Sequence, residues 1–169
     1  AADQASEQRR QFDLAEVVSE VLHTLSPSLK RHPHRIQVDI PPGIAMDSQP
    51  GALGQILINL VNNAYLHAFE GRSQGELRLS AQAQGDTVAI TVADNGVGMP
   101  QERMDKMFQP FFSTKIGQGG TGLGMAIVQN LVTKSLGGHI TVQSTVGEGT
   151  QFHIVLPRRA PEPMSVAIK

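Results

Sequence analysis

The stretch that most restricts the fold is a pair of alternating runs, residues 76–83 and 87–93, separated by Gln84-Gly85-Asp86. Apolar and polar side chains alternate with period two, as strands require, and the glycine-containing break between them suits an antiparallel hairpin. Val88, Ile90 and Val92 fall on one side of the second run and are expected to be buried. A hairpin with one apolar face must be covered, and the flanking sequence supplies amphipathic cover. Residues 51–69 place Leu53, Ile56, Leu57, Leu60 and Ala64 on one helical stripe, with Asp47-Ser-Gln-Pro50 offering capping side chains and a first-turn proline. Residues 12–22 place Leu14, Val17, Val18, Val21 and Leu22 on another. Asp13 near the start of that helix is favoured by its dipole, and Pro27 and Pro33 are expected to break it. Residues 35–40 read as a strand ended by Pro41-Pro42, residues 101–107 as a short helix, and residues 121–136 as a second core helix ended by Gly137-Gly138. Residues 140–144 and 151–156 make a last hairpin around Val146-Gly-Glu-Gly149. Helices interspersed among hairpins predict an α/β fold, a two-layer sandwich with a mixed, mostly antiparallel sheet of about five strands and helices on one face.

A chain of 169 residues with 40% hydrophobic content can bury one good core, so one domain is expected. Residues 1–11 are polar and read as a junction, residues 12–158 as the folded unit, and residues 159–169 as a polar tail. The start at Ala1 rather than Met suggests a fragment of a larger protein. With 14 basic and 15 acidic residues there is no net field to attract nucleic acid or an anionic membrane, so small molecules or proteins are the expected partners. The absence of cysteine excludes disulfides and thiolate zinc sites. The six histidines show no ligand spacing, and His32 and His34 flank Pro33 in what reads as a surface loop. No apolar run approaches the roughly 18 residues of a membrane span.

Three asparagines, Asn59, Asn62 and Asn63, interrupt an apolar helix in which asparagine is a mediocre former. Asn59 and Asn63 share a face with His67, and an amide oxygen at Asn63 is the hard neutral donor that Mg²⁺ accepts, whereas Asn62 reads as an exposed polar residue. Asp94-Asn-Gly-Val-Gly-Met99 is either an Asn-Gly hairpin turn or a base-reading loop. Pro100 and the polar stretch behind it offer no return strand, which weighs against the turn. As a base reader, Asp94 would accept a hydrogen bond from the exocyclic amine of adenine and repel the carbonyl oxygen of guanine, and Gly96 and Gly98 would let the backbone pass close to the base. Lys115 is the best-placed cation for phosphate in its region. Residues 117–124 form a glycine-rich loop running into a helix, a combination suited to phosphate. Its formal match to a dinucleotide fingerprint lacks the preceding strand and the later acid. A Walker loop is excluded because Met125 and Ala126 stand after Gly124 where Lys and Ser/Thr belong.

Taken together, Asn59-Leu-Val-Asn-Asn-Ala64, Asp94-Asn-Gly-Val-Gly-Met99, Phe108-Gln-Pro-Phe-Phe-Ser-Thr-Lys115, Gly120-Thr-Gly-Leu-Gly124 and Gly147-Glu-Gly-Thr150 resemble the N, G1, F, G2 and G3 boxes of the sensor histidine kinase ATP-binding domain. Five motifs in one order are more specific than any alone. The resemblance implies the Bergerat fold of the GHKL superfamily, Mg²⁺ ligation by Asn63, adenine recognition by Asp94 with support from Thr150, and a lid over the phosphates at residues 108–124. The nucleotide is then assigned to Asn59, Asn63, His67, Asp94, Gly96, Gly98, Met99, Lys115, Gly120, Thr121, Gly122, Leu123, Gly124 and Thr150. Asn59, Asn63 and Lys115 take the catalytic roles.

Two departures matter. Leu66 stands where many members carry a phosphate-contacting lysine, and His23 lacks the following acid and later proline of a phosphoacceptor helix. The implied chain is a catalytic domain without its histidine: it binds Mg·ATP and donates the γ-phosphoryl group to a separate dimerisation domain, with a response regulator downstream. It is expected to be cytoplasmic, within a parent that can be anchored in the inner membrane. The alternatives are a GHKL-type ATPase, which Asn59 disfavours because it stands where a water-activating glutamate is needed, and a nucleotide-dependent interaction module without transfer.

Overall fold

The computed structural model describes residues 9–109 and 124–161. Five strands form one mixed sheet in the order β2-β4-β5-β7-β6. They are β2 (Arg35–Asp39), β4 (Glu76–Gln84), β5 (Thr87–Asp94), β6 (His139–Thr145) and β7 (Gly149–Pro157). Only β2 and β4 run parallel; the remaining neighbours are antiparallel. The register aligns apolar residues across the sheet: Leu79 faces Val92, which faces Phe152, which faces Val142, and Ile90 faces Ile154, which faces Ile140. Because side chains alternate along each strand, this register gathers one apolar face, and Val88, Ile90 and Val92 are all buried as the alternation predicts.

Helices α1 (Leu14–Leu29), α2 (Pro50–Asn63) and α4 (Gly124–Asn130) cover that face, and α3 (Gln101–Lys106) is a short helix after β5. The stripe Leu53, Ile56, Leu57, Leu60 and Ala64 is buried on α2, and Gly54 lets α1 come close, since a methyl group there would meet Val21 Cγ2 at 3.3 Å. Burying such a stripe contributes roughly 1.5–3 kcal/mol per large side chain, an upper estimate before conformational entropy is set against it.

Pro27 does not break α1. It lies near the end of the helix, where its missing N–H costs one hydrogen bond to His23, and Lys30 N–H still reaches the Ser26 carbonyl at 3.0 Å. A two-stranded ribbon absent from the sequence reading pairs β1 (Arg10–Asp13) antiparallel with β3 (Ala45–Ser48), so part of the polar junction is a strand. Asp47 and Ser48 accordingly do not cap α2. Gln49 is its N-cap and makes no capping bond, its side chain donating instead to the Ser135 carbonyl at 3.3 Å, while Asp47 pairs with Arg9 at 3.0 Å. Pro50 does occupy the first turn. Asp13 caps α1, accepting from Glu16 N–H at 3.3 Å and from Gly43 N–H at 2.7 Å.

Immediately after Asn63 the α-helical ladder widens into a π turn, Ala64–Ala68, closed by Phe69 N–H on the Ala64 carbonyl at 3.0 Å. Tyr65 and Phe69 on this turn stack edge to face, and His34 packs on both, 5.2 Å from Tyr65 and 4.5 Å from Phe69 between ring centroids. His34 Nδ1 accepts from Gly75 N–H at 2.6 Å, so this histidine is structural rather than a free surface residue.

Burial and the neighbouring His32 hold the His34 imidazole below the ordinary histidine value. A folded value below the unfolded one means that the neutral ring stabilises the fold above about pH 6.5, and that this contribution is lost as pH falls through the folded value. Thermal stability is therefore expected to fall on acidification below about pH 6.5. His34→Asn keeps an acceptor but does not titrate, so it should flatten that limb of the curve, as a series of melts at different pH would show.

Candidate functional site

The site lies at the end of the sheet where β5 finishes and β7 begins, since Asp94 and Thr150 are opposite each other in register. A partly open cavity lies there, with Asp94, Thr150 and Met99 on the sheet side and Asn63 and His67 on the helix side. Its apolar walls come from Met107 and Met125, both almost fully buried. Unbranched methionines conform to a flat ligand more readily than β-branched residues do.

Asp94 is fixed by two backbone donors on the same oxygen: Gly96 N–H reaches Oδ1 at 2.9 Å and Thr150 N–H reaches it at 3.2 Å. Oδ2 accepts no hydrogen bond among the described residues. One carboxylate oxygen therefore holds the residue in place while the other remains for a ligand. Burial pushes the Asp94 carboxyl above the ordinary aspartate range, and the two backbone donors and the Arg72 guanidinium oppose that rise.

The loop after β5 does not return as a strand. Asn95 Oδ1 instead accepts from Glu76 N–H at 2.8 Å, and Val97 N–H donates to the Ala68 carbonyl at 2.8 Å, binding the loop to the π turn. Gly96 is needed for this contact rather than for a base: a Cβ there would stand 2.1 Å from the Ala68 carbonyl oxygen, and Gly96 is not among the residues lining the cavity. Gly98 does line it, with φ of 71°, and a Cβ would stand 2.0 Å from the Thr145 carbonyl oxygen. Gly96 thus serves close approach of protein to protein in place of the approach to a base expected from sequence, whereas Gly98 makes such an approach and lines the cavity as well.

Asn63 ends α2 and faces the cavity, and its amide has no hydrogen bond among the described residues. The amide is not sealed from solvent, so it is open to a ligand entering the cavity. The described residues contain no group of three or more acidic, histidine or cysteine side chains able to hold a metal alone. A single neutral oxygen fits Mg²⁺, which takes one or two protein ligands and completes its octahedron with water and substrate phosphates.

Asn59, one turn earlier, is occupied elsewhere. Its Nδ2 donates to the Gly124 carbonyl at 3.1 Å and its Oδ1 accepts from Gln55 at 2.8 Å. It ties α2 to the first residue of α4 and does not line the cavity. Asn62 is exposed, as read from sequence. Lys115, Gly120, Thr121, Gly122 and Leu123 lie outside the described residues, as does all but the two ends of the expected lid.

Three contributors had no sequence signal of their own. Arg72 donates from Nη2 to the carbonyls of Gly96 at 3.2 Å and Gly147 at 3.3 Å, clamping the loop after β5 to the β6–β7 turn. Arg103 on α3 is the only Lys or Arg lining the cavity among the described residues, and its guanidinium has neither ion pair nor hydrogen bond there. Ser144 on β6 accepts from Met99 N–H at 2.8 Å and contacts the Thr150 hydroxyl at 2.7 Å. Arginine and serine are common on surfaces, and only the fold places these three at the site.

Comparison with known proteins agrees with this geometry. Residues 48–160 match the family described as histidine kinase-, DNA gyrase B-, and HSP90-like ATPase. The chain is 34% identical over 165 residues to the circadian input-output histidine kinase CikA of Synechococcus elongatus, covering 94% of this chain and 21% of that protein. The first curated relatives are matched over only 17–30% of their own length. In fold, the chain superposes on the nucleotide-free catalytic domain of histidine kinase ThkA with a TM-score of 0.79 at 24% identity, over 90% of this chain and 97% of that one. It also superposes on full-length ShkA in complex with AMPPNP with a TM-score of 0.76 at 28% identity, over 89% of this chain and 31% of that one.

Proposed function

The chain belongs to the histidine kinase-, DNA gyrase B-, and HSP90-like ATPase family, and on that premise we propose that it is the ATP-binding catalytic domain of a two-component sensor histidine kinase. It binds Mg·ATP and presents the γ-phosphoryl group for in-line attack by a histidine nitrogen on a separate dimerisation domain, upstream of a response regulator. The observation that carries this reading is Asp94, an anchored carboxylate with one oxygen left for the cavity, which it lines together with an unpartnered Asn63 amide. ShkA, which shares the fold, was solved with an ATP analogue. Such transfer depends on positioning and charge neutralisation, so the domain needs no nucleophile of its own.

Asn63 contributes the protein oxygen to Mg²⁺, which when bound draws together the phosphate charges, and Asp94 selects the 6-amino group of adenine. Arg103 takes on part of the anionic load that Leu66 leaves uncovered. Lys115 and the glycines at 120, 122 and 124 are assigned to the phosphates as well. For Arg103→Ala we expect the KM for ATP to rise by roughly 3- to 10-fold with kcat little altered, the signature of a contact equally strong in ground and transition states. An unchanged KM would remove Arg103 from the site.

Hydrolysis is the rival reading, and Asn59 counts against it: the position that needs a carboxylate base holds an amide already bonded to Gly124 and Gln55. Rapid steady-state phosphate release by the chain alone would favour hydrolysis, whereas phosphohistidine on an added dimerisation domain would favour transfer. No helix among the described residues is long and apolar enough to cross a membrane. A cytoplasmic setting, with or without a membrane anchor elsewhere in the parent, belongs to the same proposal.

A further inference from the structure

Ser144 sits where three segments of the base pocket meet. It receives the Met99 N–H at 2.8 Å, lies 2.9 Å from the Gly149 carbonyl and 2.7 Å from Thr150 Oγ1. A serine hydroxyl has one proton and can accept from two donors. The Gly149 carbonyl can only accept and the Met99 amide can only donate, so the one assignment that makes all three contacts hydrogen bonds has Ser144 giving its proton to Gly149 and Thr150 giving its proton to Ser144.

Thr150 is buried at 4% exposure and lines the cavity beside Asp94, to which its own N–H is bonded at 3.2 Å. With its proton committed to Ser144, Thr150 Oγ1 offers the cavity lone pairs alone. We infer that Ser144 is a specificity-determining positioning residue: it fixes Thr150 as an acceptor, so that Asp94 and Thr150 together offer acceptors to the two N–H bonds of a purine 6-amino group and no donor to a 6-oxo group.

This inference rests on the nucleotide reading of the cavity and extends it. A carboxylate repels a 6-oxo group unaided, but a freely rotating threonine next to it could turn its O–H outward and donate to that group. Ser144 removes that option without touching the ligand. A buried polar group that can change role discriminates poorly, whereas one locked into a single role leaves the wrong ligand with a facing pair of acceptors.

The test uses the 169-residue chain and titration calorimetry with ATP and inosine triphosphate, which differ at the purine 6-position. Wild type should bind ATP and discriminate against the inosine nucleotide; failure to bind ATP would overturn the nucleotide reading itself. Ser144→Ala should narrow the ratio of the two dissociation constants about fivefold, the worth of one neutral hydrogen bond gained by the 6-oxo ligand. Ser144→Thr, which restores the hydroxyl, should return the ratio to the wild-type value. A purely structural role for Ser144 would weaken both ligands alike, and an unchanged ratio in Ser144→Ala overturns the inference while leaving the nucleotide reading intact.

If Ser144→Ala does not fold, Thr150→Val decides. Loss of a lone-pair acceptor narrows the ratio, as the inference requires, whereas loss of a donor open to the 6-oxo group widens it, which refutes the inference.

Discussion

Replacing Asp94 with asparagine should leave the domain folded and remove most of its affinity for ATP. The asparagine carbonyl oxygen can occupy the Oδ1 position and keep the bonds from Gly96 and Thr150, so the loop after β5 stays in place. The other atom becomes an NH₂ group, which meets the adenine amine as donor against donor. Losing a hydrogen bond to a charged group costs about 1.5–3 kcal/mol, or roughly 10- to 150-fold in dissociation constant. Folding stability should move the other way. Burial raises the Asp94 carboxyl above its unfolded value, so the folded state favours the protonated form and pays for the charge at neutral pH. An uncharged amide carries no such cost, and Asp94→Asn should melt at the same temperature as wild type or higher near pH 7. The two readouts part company only if the carboxylate is kept for a ligand. For wild type, ATP affinity should also weaken as pH falls through the raised Asp94 value, because the protonated acid no longer presents two acceptor oxygens; in Asp94→Asn that dependence should disappear. A variant that unfolds, or that binds ATP as wild type does, would contradict the role given to Asp94.

Asn63→Ala should have the second large effect, and it should depend on metal. Asn63 closes α2 and makes no hydrogen bond among the described residues, and alanine is the better helix former, so the fold should be preserved or slightly stabilised. Removing the one protein oxygen proposed for Mg²⁺ takes away several kcal/mol of charge stabilisation, which corresponds to roughly 10²- to 10³-fold in the rate of phosphoryl transfer. Nucleotide binding measured with excess chelator should be unaffected, since the adenine contacts are separate. Titrations with and without Mg²⁺, run alongside single-turnover transfer, would check this. Equal losses in both titrations would mean that Asn63 serves the fold or the base rather than the metal.

Much of this site was legible before the structure because its chemistry breaks local rules. Asparagine within an apolar helix and a buried-side aspartate at the end of a strand both carry a cost, and both residues line the cavity. The helices and hairpins were legible because their apolar residues recur with the right period. The β1–β3 ribbon was not, since its strands are four residues each, too short for alternation to stand out. Pro27 misled because the rule about proline concerns helix interiors, and its position close to the helix end could not be known until the end of α1 was seen. Gly96 was assigned to the right loop for the wrong reason: its neighbour is the Ala68 carbonyl, freed by a π turn that no propensity announces. Arg72 and Arg103 were invisible because the carbonyls that Arg72 clamps are 24 or more residues away and Arg103 faces the cavity itself, and Ser144 because its tie to the loop after β5 is to Met99, 45 residues earlier.

Transfer itself is the most direct measure. The chain should be incubated with Mg²⁺, γ-labelled ATP and its cognate histidine-bearing dimerisation domain, and the label then followed. The account predicts label on the acceptor in an acid-labile, alkali-stable form, as a phosphoramidate requires, lost when the acceptor histidine is replaced and strongly reduced with Asn63→Ala. Rapid release of labelled phosphate to solvent, with the acceptor domain left unlabelled, would contradict it.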